Sequence, residues 1–220
     1  MKSRFLSFAA GLFGLQSCAG PPPPILPPRV GRVVLVHGFL DTGSAFKMLK
    51  QRLEKRGVKC LVAKLIPSDG RGGLEKLAVN LKRDIDAEFG TQEPISIVAF
   101  SMGGLVSRYF LQDLGGAARC DQLITVSSPH HGTRSAFIYP SRGAKEMRPG
   151  SPFLRDLQKS EYRLGKMPVA SYRTPMDLII LPPDSSVWER AENVGYRVPL
   201  HPMMLNSKSV LSDIERRLLD

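Results

Sequence analysis

Ser101 lies where an apolar, strand-like stretch gives way to a helix-like one, in the run Ile95 to Val106. A serine at so tight a strand-to-helix turn is held in strained geometry with its hydroxyl exposed, provided that the residues two positions to either side are small. Ala99 and Gly103 meet that condition, although alanine replaces the usual glycine. The alternative is a serine that only caps the helix. We interpret Ser101 as a candidate nucleophile.

A serine that attacks a carbonyl carbon also needs backbone N–H groups that bind the developing oxyanion. The residue after the nucleophile gives one of them, and the loop after an earlier strand gives the other. The apolar run Val33 to Val36 leads directly into His37-Gly38-Phe39. We therefore expect the amides of Phe39 and Met102 to form the oxyanion hole. His37 is interpreted as a histidine that shapes this loop rather than as a base.

A pair of histidines follows the next strand-like run, in Ser128-Pro129-His130-His131-Gly132-Thr133. Such a pair raises the hypothesis of a metal site. Adjacent residues of an extended chain point to opposite faces, however, and no cysteine or carboxylate lies nearby at ligand spacing. The sequence therefore favours chemistry without a metal or another cofactor.

These motifs resemble the minimal bacterial lipases and esterases of the α/β-hydrolase superfamily. The resemblance spans the chain from about Arg32 to the C-terminus and rests on segments that occur in the expected order: 36–39, 99–104, 128–133 and 147–154. It implies an α/β fold with a doubly wound, mainly parallel sheet of about six strands and helices on both faces. It also implies a serine hydrolase that cleaves carboxylic esters through an acyl-enzyme intermediate.

In this superfamily the catalytic residues follow the order serine, acid, histidine. His201 is the one histidine beyond His131 and is the implied base, although the proline after it departs from the small residue that is common there. Asp177 and Asp184 are the candidate acids. The strand-like run 169–172 ends shortly before Asp177 and favours it, whereas the proline and serine neighbours of Asp184 are typical of a turn or a helix cap.

Substrate contacts are expected from the oxyanion loop, at His37 and Gly38, and from the segment 134–166, at Met147 and Phe153. This segment is the largest insertion between strands, and we expect it to form the wall of an acyl pocket. Leu154 is expected to pack on the sheet instead. The sequence leaves open a phospholipase or acyltransferase with the same triad, a thioesterase or amidase, and, as a different class, a catalytically inactive binding protein.

Residues 1–17 have the pattern of a lipoprotein-type signal peptide, with Lys2 and Arg4 before an apolar stretch. The sequence Leu15-Gln16-Ser17-Cys18 is similar to a lipobox, which would leave Cys18 lipid-modified. An ordinary cleavable signal is the alternative. Residues 18–30 are rich in proline, as in a stiff extended linker, and residues 31–220 would form one catalytic domain.

These features predict a lipid-anchored lipoprotein of the cell envelope, with a periplasmic or secreted protein as the alternative. The formal net charge is +11, and no nucleic-acid-binding motif accompanies it. The basic surface therefore predicts either attraction to anionic lipid or only solvated charge. The expected partners are an ester substrate and, through the anchor, a membrane surface. We expect a monomer that binds no nucleic acid.

Strand-like and helix-like segments alternate along the chain. Two helical patterns, closed by Gly57 and by Gly90, flank a strand expected over Cys60 to Ile66. This alternation predicts a parallel sheet, in the spatial order second, first, third, fourth, fifth, sixth strand. Cys60 and Cys120 would then lie three strand spacings of about 4.8 Å apart, too far for a disulfide.

Overall fold

A six-stranded parallel β-sheet forms the centre of the computed structural model, which describes residues 30–220. The strands are β1 (Arg32–Val36), β2 (Lys59–Val62), β3 (Ile95–Phe100), β4 (Cys120–Val126), β5 (Val169–Arg173) and β6 (Glu192–Gly195). Their spatial order is β2-β1-β3-β4-β5-β6, and every neighbouring pair is parallel. The predicted sheet and strand order are confirmed.

Six α-helices connect or flank these strands. They are α1 (Lys47–Glu54), α2 (Leu74–Phe89), α3 (Met102–Asp113), α4 (Arg142–Glu146), α5 (Pro152–Lys159) and α6 (Lys208–Leu219). Alternate residues of β1 point to opposite faces: Val34 and Val36 pack in the layer with α2, α3 and α5, whereas Val33 and Leu35 pack with α1 and α6. Helices therefore cover both faces of the sheet, as predicted.

The second strand is shorter than the predicted Cys60 to Ile66. The amide of Ala63 still donates to the Leu35 carbonyl at 3.0 Å, but only one residue of β1, Val36, follows Leu35. The Leu65 amide donates instead to His37 Nε2 at 3.2 Å. Beyond Ala63 the chain has no strand left to pair with, so it leaves the sheet.

Cys60 and Cys120 are both free thiols, as expected from their places on β2 and β4. The signal peptide, the lipid anchor at Cys18 and nearly all of the proline-rich linker were predicted for residues outside the described part of the chain. Within residues 30–220 no helix is long and apolar enough to cross a membrane.

Because all strands run in the same direction, their carboxyl ends meet at one edge of the sheet. The loops after β1, β3, β4, β5 and β6 lie at that edge, and they carry the sequence-predicted residues Phe39, Ser101, Pro129 to Thr133, Asp177 and His201. The fold thus gathers segments that are far apart in sequence.

Candidate active site

Ser101 connects β3 to α3 in a strained turn. Its backbone has φ 55° and ψ −124°, a conformation with positive φ that residues other than glycine rarely adopt. The Ser101 amide donates to the Val126 carbonyl at 2.9 Å, and its own carbonyl accepts from the Gly104 amide at 3.0 Å. These bonds fix the turn to the end of β4 and to the first turn of α3, and they hold Ser101 in the geometry expected of a nucleophile.

Two glycines allow α3 to begin directly against the sheet. A Cβ atom at Gly103 would lie 2.3 Å from the Val36 carbonyl oxygen, and one at Gly104 would lie 2.1 Å from Ser128 Oγ. Both distances are far below van der Waals contact, so only glycine fits. The N-terminus of α3 can therefore point at the space above Ser101.

His201 lies beside Asp177 at the same edge. Its Nδ1 is 2.8 Å from Asp177 Oδ2, and both side chains are buried. Asp177 Oδ1 accepts from the amides of Ile179 and Ile180, at 2.9 and 2.8 Å. Burial tends to raise the pKa of Asp177, but the hydrogen bond and charge of His201 and the two amides outweigh it and lower that pKa below its ordinary value.

This arrangement fixes the proton of His201. A carboxylate accepts only, so Nδ1 carries the proton and Nε2 is left as the basic nitrogen. The imidazole packs on the ring of Phe100, with 4.6 Å between the centroids, and Phe100 precedes Ser101 in the chain. No hydrogen bond joins the Ser101 hydroxyl to His201 here. Such bonds often form only once substrate is bound.

The two amides predicted to form an oxyanion hole are free to bind a ligand. Within residues 30–220 neither the Phe39 nor the Met102 N–H has a hydrogen-bond acceptor. Gly38 approaches the nucleophile closely, because a Cβ there would be 3.0 Å from Ser101 Cβ. His37 is buried; its Nδ1 lies 2.9 Å from the Gly38 carbonyl, while its Nε2 accepts from Leu65. His37 therefore braces the loop.

An apolar cavity of about 80 Å³ opens beside Ser101. Its walls come from the loop after β1, from the insertion after β4 and from the loop after β5: Phe39, Pro129, Thr133, Ser135, Ala136, Tyr139, Ala144, Met147, Ile179 and Ile180. Phe39 and Tyr139 meet edge to face, with centroids 5.0 Å apart. The volume corresponds to about three water-sized groups, which is room for a short acyl chain.

One expectation differs from the structure, and of the two roles expected for Asp184 the turn is found. Phe153 does not line this cavity: it is buried near the start of α5 and stacks on Tyr109 of α3 at 5.9 Å. The apolar face of α5 turns toward α3, so Phe153 belongs to the core. Asp184 caps no helix; it sits in a short 3₁₀ turn, Pro183–Ser186, and pairs with Arg173 Nη1 at 2.8 Å.

Thr133 holds the loop that carries Asp177, a role that the sequence did not suggest. Its hydroxyl donates to the Ile179 carbonyl at 2.8 Å and accepts from the Leu181 amide at 2.8 Å. Ser135 Oγ donates to the same Ile179 carbonyl at 2.6 Å. The insertion after β4 therefore fixes the turn whose amides bind the Asp177 carboxylate.

Arg108 is a second feature that the sequence did not reveal. Its side chain lies in the middle of α3, is 3 % exposed, and stacks over the ring of Trp188 at 4.2 Å. It donates to Gln112 Oε1 at 3.1 Å and to Glu161 Oε2 at 3.3 Å. Burial lowers the pKa of Arg108 to about 10, against the opposing effect of Glu161, so the guanidinium stays charged at neutral pH.

His130 completes this buried network. Its Nδ1 is 3.4 Å from Arg108 Nη1, its Nε2 is 3.1 Å from Thr125 Oγ1, and its ring stacks on Trp188 at 4.5 Å. Because Nδ1 faces a donor, the proton sits on Nε2. Burial, followed by the charge of Arg108, holds the pKa of His130 well below its usual value. His130 is a neutral structural histidine.

The neighbouring His131 turns the other way. It is exposed, with Nε2 3.4 Å from Glu189 Oε1. Within residues 30–220 no group of three His, Cys, Asp or Glu side chains lies together as metal ligands would.

Sequence comparison places this site in a family. A family model described as palmitoyl protein thioesterase matches residues 32–172, more than half of the chain. The chain belongs to the palmitoyl protein thioesterase family. The matched residues include Ser101 and the His-Gly-Thr segment but end before Asp177 and His201. No curated protein matches the chain in a sequence search.

Solved structures with the same fold come from several bacteria. A lipase of Bacillus licheniformis, BlEst2 in mature form, has a TM-score of 0.72 and 16 % identity, over 92 % of this chain and 95 % of that one. The ydeN gene product of B. subtilis gives 0.63 and 17 %, over 85 % and 97 %. A pyrethroid hydrolase from Sphingobium faniae JZ-2 gives 0.56 and 16 %, over 85 % and 96 %.

At these identities the likeness shows the fold. Together with the family match, it confirms the predicted membership of the α/β-hydrolase superfamily. This member of the palmitoyl protein thioesterase family therefore has the fold of a lipase- or esterase-like hydrolase.

Proposed function

We propose that the chain is a serine hydrolase that cleaves carboxylic esters through an acyl-enzyme intermediate. Ser101 is the nucleophile, His201 the general base and then the general acid, and Asp177 the residue that orients the imidazole and stabilises its charged form. The Phe39 and Met102 amides bind the oxyanion. These roles need no cofactor.

The observation that carries this proposal is the hydrogen bond between Asp177 Oδ2 and His201 Nδ1, at the edge of the sheet where Ser101 is strained. The bond leaves Nε2 basic. Nε2 can remove the Ser101 proton as the hydroxyl attacks the ester carbon. It can then return that proton to the leaving alcohol, after which water releases the acyl group by the same route.

The apolar cavity supports a short acyl group as the preferred part of the substrate. Each methylene that the walls surround contributes about 0.8 kcal/mol, and a methylene that extends beyond them contributes less. We therefore expect kcat/KM to rise from acetyl toward butyryl or octanoyl esters in solution and then to fall. Met147 and Tyr139 form part of these walls.

Active-site labelling tests this proposal directly. A fluorophosphonate probe should react with the purified full chain at one serine, Ser101, and mass spectrometry of the labelled peptide should locate it. The Ser101→Ala variant should take up no label and hydrolyse no p-nitrophenyl butyrate. Labelling of the wild type at another serine, or turnover by the variant, would refute the assignment.

The family match favours one second candidate, a thioesterase, because its description names a thioester-cleaving activity. The same residues would serve, since a thioester carbonyl passes through the same tetrahedral oxyanion. A matched pair of substrates separates the two: p-nitrophenyl butyrate and its sulfur analogue, p-nitrothiophenyl butyrate. A higher kcat/KM on the sulfur compound, beyond the ratio of their uncatalysed rates, would make thioesterase the better description.

A further inference from the structure

Exposed apolar side chains surround the mouth of the cavity. Twelve large hydrophobic residues are exposed among residues 30–220, and nine of them lie in loops at the carboxyl edge of the sheet. Six of the nine lie in or beside the site, and we call these six the apolar rim: Leu40, Ile138, Leu178, Ile179, Leu200 and Met203. Such a concentration is unusual on a soluble protein, where exposed apolar residues are normally scattered.

Each rim residue lies close in the sequence to a residue of the site or itself belongs to the site. Leu40 follows Phe39, Ile138 precedes Tyr139, Leu178 follows Asp177, and Ile179 itself lines the cavity. Leu200 and Met203 flank His201. Ile138 is 86 % exposed and Leu178 is 65 % exposed. The rim residues thus lie on the same loops as the site, and Ile179 belongs to both the rim and the cavity wall.

Exposed cations without an acidic partner lie at this edge. Arg134, Lys145 and Arg197 are exposed, and within residues 30–220 none of them has a carboxylate partner. Of the acids at the same edge, Asp184 pairs with Arg173, Asp41 accepts from the amides of Thr42 and Gly43, and Glu189 contacts His131. An apolar surface flanked by free cations complements a lipid surface with anionic headgroups.

We propose that the apolar rim docks on an anionic lipid surface, so that the site receives its ester from the lipid phase. The inference rests on the proposed hydrolase function and names the phase from which the substrate comes. Rim side chains would enter the boundary between headgroups and acyl chains, while Arg134 and Lys145 face the headgroups. The rim is already exposed in this structure, so docking needs no lid to open.

Two pairs of substitutions in the full chain test the proposal. Ile138→Ser with Leu178→Ser removes two rim side chains. Val79→Ser with Tyr162→Ser is the matched control, since these residues are 52 % and 76 % exposed on α2 and in the 3₁₀ turn Glu161–Leu164 that precedes β5. The N-terminus is the same in all proteins, so any membrane attachment through it cancels in the comparison.

Turnover is measured on two esters within the expected range of chain length, dissolved p-nitrophenyl butyrate and p-nitrophenyl octanoate carried in vesicles of phosphatidylcholine and phosphatidylglycerol. The rim pair should lower kcat/KM for the vesicle-borne ester by about tenfold or more and change that for the dissolved ester by less than about twofold. The control pair should change neither. Arg134→Gln with Lys145→Gln should weaken flotation with these vesicles but not with phosphatidylcholine alone.

Equal losses of kcat/KM for the vesicle-borne ester in the rim pair and the control pair, or no loss in either, would overturn the proposal. So would a wild-type dimer that the rim pair converts to a monomer in sedimentation without lipid, because the rim would then be covered by a second copy of the chain. The two proposals fail separately: turnover by Ser101→Ala would refute the hydrolase assignment, while flotation of that variant still reports docking.

Discussion

His201 and His130 are both buried imidazoles in loops at the same edge of the sheet, but they face opposite charges. His201 donates from Nδ1 to the Asp177 carboxylate at 2.8 Å. His130 receives a hydrogen bond at Nδ1 from the Arg108 guanidinium, and its pKa is held well below the usual value by burial and then by that charge. Burial is common to both, so the charge of the partner is what distinguishes the two imidazoles.

The largest expected effect is the fall in kcat when Ser101 or His201 is replaced. Ser101→Ala and His201→Ala should each lower kcat on p-nitrophenyl butyrate by about 10⁴-fold or more, because nucleophile and base act as a unit. The double variant should be little worse than either single one. Circular dichroism and urea unfolding should show a folded protein in each case. Activity that survives in His201→Ala but is lost in a folded His130→Gln would reverse the comparison.

The second effect concerns the carboxylate. Asp177→Asn should lower kcat by about 10³- to 10⁴-fold, because an amide at this position favours the wrong tautomer of His201. Asp184→Asn is the matched control, since that side chain is exposed and pairs only with Arg173. It should change kcat by less than about twofold. If Asp184→Asn were the damaging substitution, Asp177 would not be the acid.

Thr133 lies three residues after His130 yet holds the loop of Asp177, so it shows whether the two histidine regions are coupled. Thr133→Val keeps the shape but leaves the part-buried Leu181 amide without its acceptor, and it should lower kcat by about tenfold through displacement of Asp177. Thr133→Ser keeps the hydroxyl and should restore most of the rate. Equal losses of kcat in both variants would show that packing, rather than the hydrogen bonds, matters at Thr133.

The smallest effect is on stability in mild acid. Because the folded-state pKa of His130 is lowered, the unfolded chain binds more protons below about pH 6.5, and stability falls as the pH falls. This histidine should cost about 1 kcal/mol of unfolding free energy between pH 6.5 and 5.5. His130→Gln, measured by urea unfolding at both pH values, should lack that loss. The exposed His131→Gln should keep it, and an unchanged slope in His130→Gln would show that His130 does not control it.

Local patterns explain why much of this molecule could be predicted. The turn at Ser101 requires a strand, small flanking residues and a helix in succession. All three can be recognised in one short stretch of consecutive residues. The parallel sheet followed from the alternation of strands and helices. Asp177 was favoured because a strand-like run ends just before it, and the structure puts it beside His201.

Interactions between distant residues explain what could not be predicted. The ion pair of Arg108 with Glu161 joins residues 53 apart, and the bond of Thr133 to Ile179 joins residues 46 apart. Phe153 was predicted to line the pocket, because no residue near it in the sequence indicates that its ring stacks on Tyr109. β2 ends early because its partner β1 ends there, and the residues of β2 alone do not indicate where β1 ends.

The tryptophan of the buried network gives the protein a built-in optical signal. Trp188 is the only tryptophan in the sequence and is 1 % exposed. Its indole contacts both the Arg108 guanidinium and the His130 imidazole, and its Nε1 donates to Glu161 Oε2 at 2.6 Å. An indole in such dry surroundings emits at short wavelength, and a charged imidazole stacked on it quenches the emission. The intrinsic fluorescence of the unlabelled protein therefore reports the state of His130.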